Sequence, residues 1–485
     1  MGRLPARLIR GLFSFMPARI SVFLLGVVLA MASPPLTLTT LHSFAFTDGE
    51  SPSALVQGTD GNFYGTTYYG GSNTSCSNLG CGTVFKITPA GTLKTLYNFC
   101  AQTGCTDGSV PVGLVLATNG SLYGTTQYNG TNGYGTVFEI TEAGKLTTLH
   151  SFDWTDGAEP NAGLVQAANG SFYGTTFYGG ANGYGTVFGI TGGKLTPLYS
   201  FCAQANCADG EYPKADLVQA TDGNFYGTTY GGGAKGYGTV FKMSPTGKLT
   251  TLYSFCSLTG CADGANPLAG LVQAANQNFF GTIYGGGAHG VGTVSKITGG
   301  GALTTLYNFC SQTNCIDGAN PAAGLVLATN GKFYGTTVVG GAHGRGTVFG
   351  ITTTAKLTTL YSFCSQTSCT DGSYPASLLQ ATNGSFYGIT DGGEANYGTI
   401  FRLSIGLGPF VKTLPTSGKV GAHVIILGNN LKGATGVTFN GKAAAFTASN
   451  SEVKTTVPSG ATTGFVQVTI PTKTLKSNLV FRVTK

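Results

Sequence analysis

The amino-acid sequence predicts an all-β protein: a seven-bladed β-propeller closed by its own N-terminal strand, followed by a C-terminal Ig-like β-sandwich. Three observations carry this reading. An Asp-Gly dipeptide recurs seven times, at Asp48, Asp107, Asp156, Asp209, Asp263, Asp317 and Asp371. Within a unit, four short segments rich in Val, Thr, Tyr and Phe follow one another between turn residues, which signals strands and not helices. The two ends of the repeat region also hold complementary fragments. The seventh unit stops after Gly398-Thr-Ile-Phe401, while an orphan fourth segment, Leu38-Thr-Thr-Leu-His-Ser-Phe44, precedes the first Asp-Gly. A closed ring explains both fragments, because pairing them removes two exposed strand edges.

Composition agrees with many short strands. Gly supplies 78 of 485 residues and charged residues only 9%, against usual shares of about 7% and about 25%. A hydrophobic content of 41% excludes a disordered chain. Residues 1–32 read as a signal peptide. Arg3, Arg7, Arg10 and Arg19 form a basic leader, Ile20 to Ala32 is apolar, and Ala30-Met31-Ala32 before Ser33 fits a cleavage site. That apolar run is shorter than the roughly 20 residues that cross a bilayer. The expectation is therefore export, to the cell surface, the medium or the periplasm, with no stable membrane insertion after signal cleavage.

The formal charge of +7 divides unevenly: the leader carries +4, residues 33–408 carry −5, and residues 409–485 carry +8. Basic charge confined to the tail of an exported chain argues against nucleic acid as a partner. It suits acidic polysaccharide or an anionic envelope surface, or simply a solvated lysine-dotted surface.

The propeller is assigned to residues 36–405, with repeat intervals of 59, 49, 53, 54, 54 and 54 residues. The first segment of a unit is apolar, as in Gly270-Leu-Val-Gln-Ala274. A two-residue hairpin turn follows, Asn-Gly or Asp-Gly in six units and Asn276-Gln277 in the fifth. The second segment reads Phe172-Tyr-Gly-Thr-Thr176 or its equivalent, and a Gly-rich loop leads to a third, such as Gly238-Thr-Val-Phe241. A further turn leads to the fourth, such as Leu249-Thr-Thr-Leu-Tyr-Ser-Phe255. Each segment is expected to form a strand of 5–8 residues.

All twelve cysteines fall into six close pairs. Five lie between the fourth strand of one blade and the first of the next: Cys100-Cys105, Cys202-Cys207, Cys256-Cys261, Cys310-Cys315 and Cys364-Cys369. The sixth, Cys76-Cys81, sits in an enlarged loop of the first unit. The loops Phe44–Asp48 and Phe152–Asp156 are four residues shorter and lack both cysteines, so each pair acts as one unit. Export makes six disulfides the expected state. Each small ring would stabilise by about 2 kcal/mol on the chain-entropy estimate. Zinc would need four converging ligands, which neighbouring blades hold apart, so no metal or cofactor is expected. The seven recurring Asp could face a calcium, but turn chemistry accounts for them.

In a propeller, the loops joining strands two to three and those joining blade to blade share one face. Here these are the long loops, and function is expected on them. Their candidate ligand-binding residues are Tyr134, Tyr184, Lys235, Tyr237, His289, His343, Arg345 and Tyr397, which could stack on sugars and bond their hydroxyls. Ordinary solvated loop tips would look the same. His42 and His150 replace a strand-four Tyr and read as packing residues. No phosphate loop, zinc motif or nucleophile elbow is present. The leading reading is a non-catalytic binding or surface scaffold for an extracellular glycan or surface protein. The alternatives are a polysaccharide lyase or hydrolase with its site in the central cavity, and a purely structural envelope protein.

The recurring Gly-Leu-Val, Phe-Tyr-Gly-Thr-Thr, Tyr-Gly-Gly and Gly-Tyr-Gly-Thr-Val-Phe blocks resemble the GloVer tandem-repeat family of exported bacterial proteins across residues 36–405. The resemblance implies export and no particular activity. Kelch blades are similar in their Gly-Gly after the second strand, but the downstream Trp of kelch is missing here. Residues 409–485 resemble an IPT/TIG domain through Pro415-Thr-Ser-Gly418, Val424-Ile-Ile-Leu-Gly428-Asn-Asn430, Val437-Thr-Phe-Asn-Gly441, Val457-Pro-Ser-Gly460 and Val466-Gln-Val468. That resemblance implies a surface or spacer module. A propeller with an Ig-like tail is also similar to the copper radical oxidases, whose chemistry needs an unpaired Cys that this pairing pattern does not leave.

Overall fold

The computed structural model describes residues 36–76, 79–393 and 397–484; the expected signal peptide lies outside the described residues. Seven four-stranded antiparallel sheets form the blades. Blade 1 comprises Glu50–Gln57, Phe63–Tyr69, Thr83–Ile87 and Leu93–Asn98. Blade 7 comprises Ser373–Gln380, Phe386–Gly392, Thr399–Ser404 and, as its fourth strand, Thr37–Ser43. Leu38 lies opposite Leu403 and His42 opposite Ile400, so the two ends of the repeat region complete one sheet. The closure read from the split unit is present.

One expectation needs correction. The innermost segment was expected to be a strand of 5–8 residues in every blade. In blades 3 to 6 it pairs over only two residues: Val165–Gln166, Val218–Gln219, Val272–Gln273 and Val326–Leu327. In blades 1, 2 and 7 ten residues run from the Asp of Asp-Gly to the end of this strand; in blades 3 to 6 there are eleven. The added residue puts the chain out of step with its partner strand, and pairing resumes only at the last two positions.

Blade-to-blade packing follows from the Phe-Tyr-Gly motif. The Tyr of one blade stacks on the first aromatic of the next, with centroids 4.1 Å apart for Tyr123–Phe172, Tyr173–Phe225 and Tyr226–Phe279. Tyr387 and Phe63 repeat the contact at 4.1 Å across the closure. Such pairs add about 0.5–1.5 kcal/mol beyond the area they bury. A set of glutamines stitches the short-turn end of the ring. Gln166, Gln219, Gln273, Gln380 and Gln57 each accept the N–H of a turn residue in the preceding blade through the side-chain oxygen. Between blades 1 and 2 a Leu holds that place, and Glu142 accepts the Thr59 N–H at 3.0 Å.

The Ig-like domain packs two sheets around Val424, Ile426, Val437, Phe439, Val453, Val466, Val468 and Phe481. It sits on the short-turn face of the propeller. Phe410 N–H donates to the Thr382 carbonyl, Asn429 to the Thr382 hydroxyl at 2.7 Å, and the Ser451 hydroxyl to the Thr59 carbonyl at 2.6 Å. Ile425 and Leu427 join one apolar cluster with Tyr64, Leu116 and Leu122 of blades 1 and 2. The long-loop face is left to the propeller itself.

Candidate functional site: the channel mouth on the long-loop face

Each innermost strand starts at the long-loop face, and it starts the same way. Ser51, Val110, Glu159, Tyr212, Asn266, Asn320 and Tyr374 adopt left-handed backbone, with φ of 52–57°, immediately before a proline. Such a conformation costs a non-Gly residue on the order of 1–2 kcal/mol. It persists because each residue donates its N–H to a carbonyl of the preceding blade, at 2.7–3.0 Å. The acceptors are Tyr397, Cys81, Tyr134, Tyr184, Tyr237, Val291 and Arg345 in turn.

These acceptors include five residues singled out from the sequence. Tyr134, Tyr184, Tyr237, Arg345 and Tyr397 therefore latch blades together through their carbonyls and hold their side chains on the rim. Tyr134 lies 5.4 Å from Trp154, Tyr184 5.4 Å from Tyr212, and Tyr397 6.2 Å from Phe46. The Arg345 guanidinium lies 5.1 Å over the Tyr374 ring. Lys235, His289 and His343 form a separate row of exposed loop tips. In blades 2 and 3 that position is Asn132 or Asn182, whose amide donates to the carbonyl of Phe152 or Phe201. The eight candidates thus share a face but divide into a latch row and a tip row.

Inside the rim lies a cavity of about 690 Å³, lined by the long-loop halves of all seven innermost segments and by Tyr68, Tyr69, Val338 and Asp391. Its chemistry comes from residues that the sequence reading passed over. Asp216 occupies the row held by glycine in blades 3, 5 and 6, and Lys214 stands two residues before it. Asp391 takes a position where other blades have Tyr68, Gln127, Phe177, Tyr230, Tyr284 or Val338. Aligning the units against each other displays both outliers. What it does not display is that they open onto one cavity.

Asp216 is ringed by protein but faces the channel. Burial raises its pKa, and the Gly163 N–H, 2.6 Å from Oδ1, opposes the rise. Tyr68 is pushed up to about 12, mainly by burial and then by Asp391. Burial and then Asp391 also raise Glu50 at the mouth, and burial raises Glu159 and Glu211. An aromatic cluster flanks the blade 3 side, where Tyr212 stacks on Phe177 at 5.1 Å and meets Tyr178 at 5.5 Å. The Lys214 ammonium lies 6.0 Å from the Phe177 ring centroid. The arrangement offers flat aromatic faces, acceptor-rich carboxylates and one ammonium around a space of small-ligand size.

The recurring Asp residues serve the loops. Asp107, Asp209, Asp263, Asp317 and Asp371 are fully buried, and each accepts a Tyr hydroxyl and two backbone N–H groups. In the two short loops His42 and His150 replace the Tyr, 3.0 and 2.6 Å from Asp48 and Asp156. All six cysteine pairs are bonded, with Cα separations of 3.9–5.1 Å. Among the described residues the tightest groupings of potential metal ligands are Cys76, Cys81 and Cys100, and Cys202, Cys207 and Glu211. Their cysteines are disulfide-bonded and offer no thiolate.

Comparison with known proteins agrees with this architecture. Residues 11–219 and 202–401 match the Gloeobacter/Verrucomicrobia repeat, and residues 410–483 match the IPT/TIG domain. The chain belongs to the Gloeobacter/Verrucomicrobia repeat family and ends in an IPT/TIG domain. No curated protein matches it. Among solved structures it is similar to a streptogramin B lyase, at 14% identity and a TM-score of 0.50, covering 76% of this chain and 98% of that one. A catalytically inactive virginiamycin B lyase from Staphylococcus aureus with quinupristin gives 13%, 0.51, 76% and 99%. The extracellular domain of a hybrid two-component system from B. thetaiotaomicron gives 12%, 0.50, 81% and 45%. At these identities the likeness is one of fold.

Proposed function

We propose that this member of the Gloeobacter/Verrucomicrobia repeat family is an exported, non-catalytic binding protein that takes a glycan at the mouth of its propeller channel. The observation that carries the reading is the cavity of about 690 Å³, lined by carboxylates and tyrosines, on the face that the Ig-like domain leaves uncovered. Tyrosine faces stack on the apolar faces of sugar rings, and carboxylates accept hydrogen bonds from their hydroxyls. The rim row of Tyr134, Tyr184, Tyr237 and Tyr397, with the tips Lys235, His289 and His343, would extend contact along a chain that overruns the cavity. Six disulfides support an oxidising, extracytoplasmic location.

The full chain, applied to a panel of envelope and matrix polysaccharides, is expected to be retained on at least one. Replacing Tyr68 and Tyr374 together by Ala should weaken that retention at least tenfold, and His343→Ala should weaken it less. Retention on none of the panel would sink the reading. The pairing of a burial-raised Asp216 with Asp391 in one cavity favours a second reading, a polysaccharide lyase or hydrolase. Release of oligosaccharide from the same panel, abolished by Asp216→Asn, would decide for it.

A further inference from the structure

We infer that the channel cavity selects a ligand carrying a positively charged amino group, which among glycans means an amino sugar. This rests on the glycan-binding reading and narrows it. Two carboxylates, Asp216 and Asp391, line the cavity, and Glu50 is joined directly to the lining residue Ser51. The cations near them are Lys214 in the lining and Arg345, which lies over Tyr374. Among the described residues none of these three carboxylates has a partner in an ion pair. Asp391 lines the cavity, and among the described residues no side-chain hydrogen bond engages it. Both carboxylates act on Tyr68, whose hydroxyl Asp391 and Asp216 each push up after burial, so the cavity carries a negative field that a bound cation would answer.

The surroundings are built to admit this charge. A Cβ on Gly163 would lie 3.2 Å from Asp216 Oδ1, and one on Gly270 would lie 2.7 Å from the Asp216 carbonyl oxygen. Glycine at 163 therefore leaves room for the Asp216 carboxylate, while Gly270 lets the next blade approach the Asp216 backbone. Tyr68, Tyr69 and Tyr374 line the same cavity, and aromatic faces attract ammonium groups. An ammonium would answer the unpaired carboxylates and the tyrosine faces at once. A neutral sugar would leave the negative charge uncompensated, and an acidic one would add to it.

The test compares the tetramers of glucosamine and N-acetylglucosamine, which share a skeleton and differ in charge. Both are titrated calorimetrically into the full chain, in one mildly acidic buffer that protonates the free amines. The glucosamine tetramer is expected to bind at least tenfold tighter. Asp391→Asn and Asp216→Asn should each cut that preference several-fold, while Asp222→Asn, in a hairpin turn on the opposite face, should leave it unchanged. Equal or tighter binding of the N-acetylated tetramer would overturn the inference and leave the glycan reading standing. Binding of neither tetramer would also overturn it, and the polysaccharide panel would then decide the broader reading separately. A preference that survives both Asp substitutions would overturn the assignment to this cavity.

Discussion

In the loop that leads into blade 5, the Asp263 carboxylate accepts the hydroxyls of Tyr253 and Ser257 and the N–H groups of Ser257 and Leu258. Burial alone would raise its pKa; those donors outweigh burial and hold it below the ordinary carboxylate value. A carboxylate depressed in the folded state stabilises above its unfolded pKa of about 3.9, and that contribution is lost as pH falls through the folded value. Asp263→Asn is therefore expected to cost about 1–3 kcal/mol at neutral pH. Denaturant melts should show the gap between variant and parent narrowing below about pH 4; a gap independent of pH would refute the assignment. The sequence already placed His42 and His150 where other units have Tyr, in loops that had lost their cysteines. It read them as packing residues, because nothing local says that the strand-four residue and the Asp of Asp-Gly meet.

Among the strands, the glycine of Phe-Tyr-Gly shows why the motif recurs. In blade 4 a Cβ at Gly227 would sit 2.6 Å from the tip of the Phe241 ring, on the adjacent strand. The end of the ring lies over the glycine, and a larger residue would leave it no room. Blade 5 has Ser295 in place of that Phe, and a Cβ at Gly281 would meet chiefly Leu271, at 2.8 Å. Gly227→Ala should thus destabilise by about 1–3 kcal/mol through overpacking, and Gly281→Ala by distinctly less, as read from thermal unfolding. Equal costs would refute the account. The shortened inner strands of blades 3 to 6 belong to the same scale. The eleventh residue was visible in the repeat interval, but its effect on pairing depends on the partner strand.

For the whole molecule, closure is the property with the largest mechanical consequence. Thr37–Ser43 supplies the fourth strand of blade 7, and Phe44 is buried against Phe85 at a centroid distance of 5.3 Å. Gln57 and Thr382 exchange two hydrogen bonds across the same seam. Deleting residues 36–44 exposes the Thr399–Ser404 edge and removes the Phe44 packing, which alone is worth about 3–5 kcal/mol. The truncated chain is expected to lose cooperative unfolding and to aggregate. A melting temperature equal to the parent's would overturn the role given to this strand. The Ig-like domain packs on the short-turn face and leaves the opposite mouth uncovered.

Seven blades, closure, disulfide pairing and the Ig-like tail were legible in the sequence, because repeats, hairpin turns and paired cysteines are local signals repeated often enough to count. The long-loop face was legible too, since loop length alone distinguishes the two sides of a propeller. The tertiary structure decided the rest: that Tyr134, Tyr184, Tyr237, Arg345 and Tyr397 latch the blades through their carbonyls, and that Asp216, Lys214, Asp391 and Tyr68 share one cavity. Those four side chains come from blades 4, 7 and 1, and only ring closure brings them to a common axis. A single unit contributes at most two lining charges, so no local pattern could announce the site.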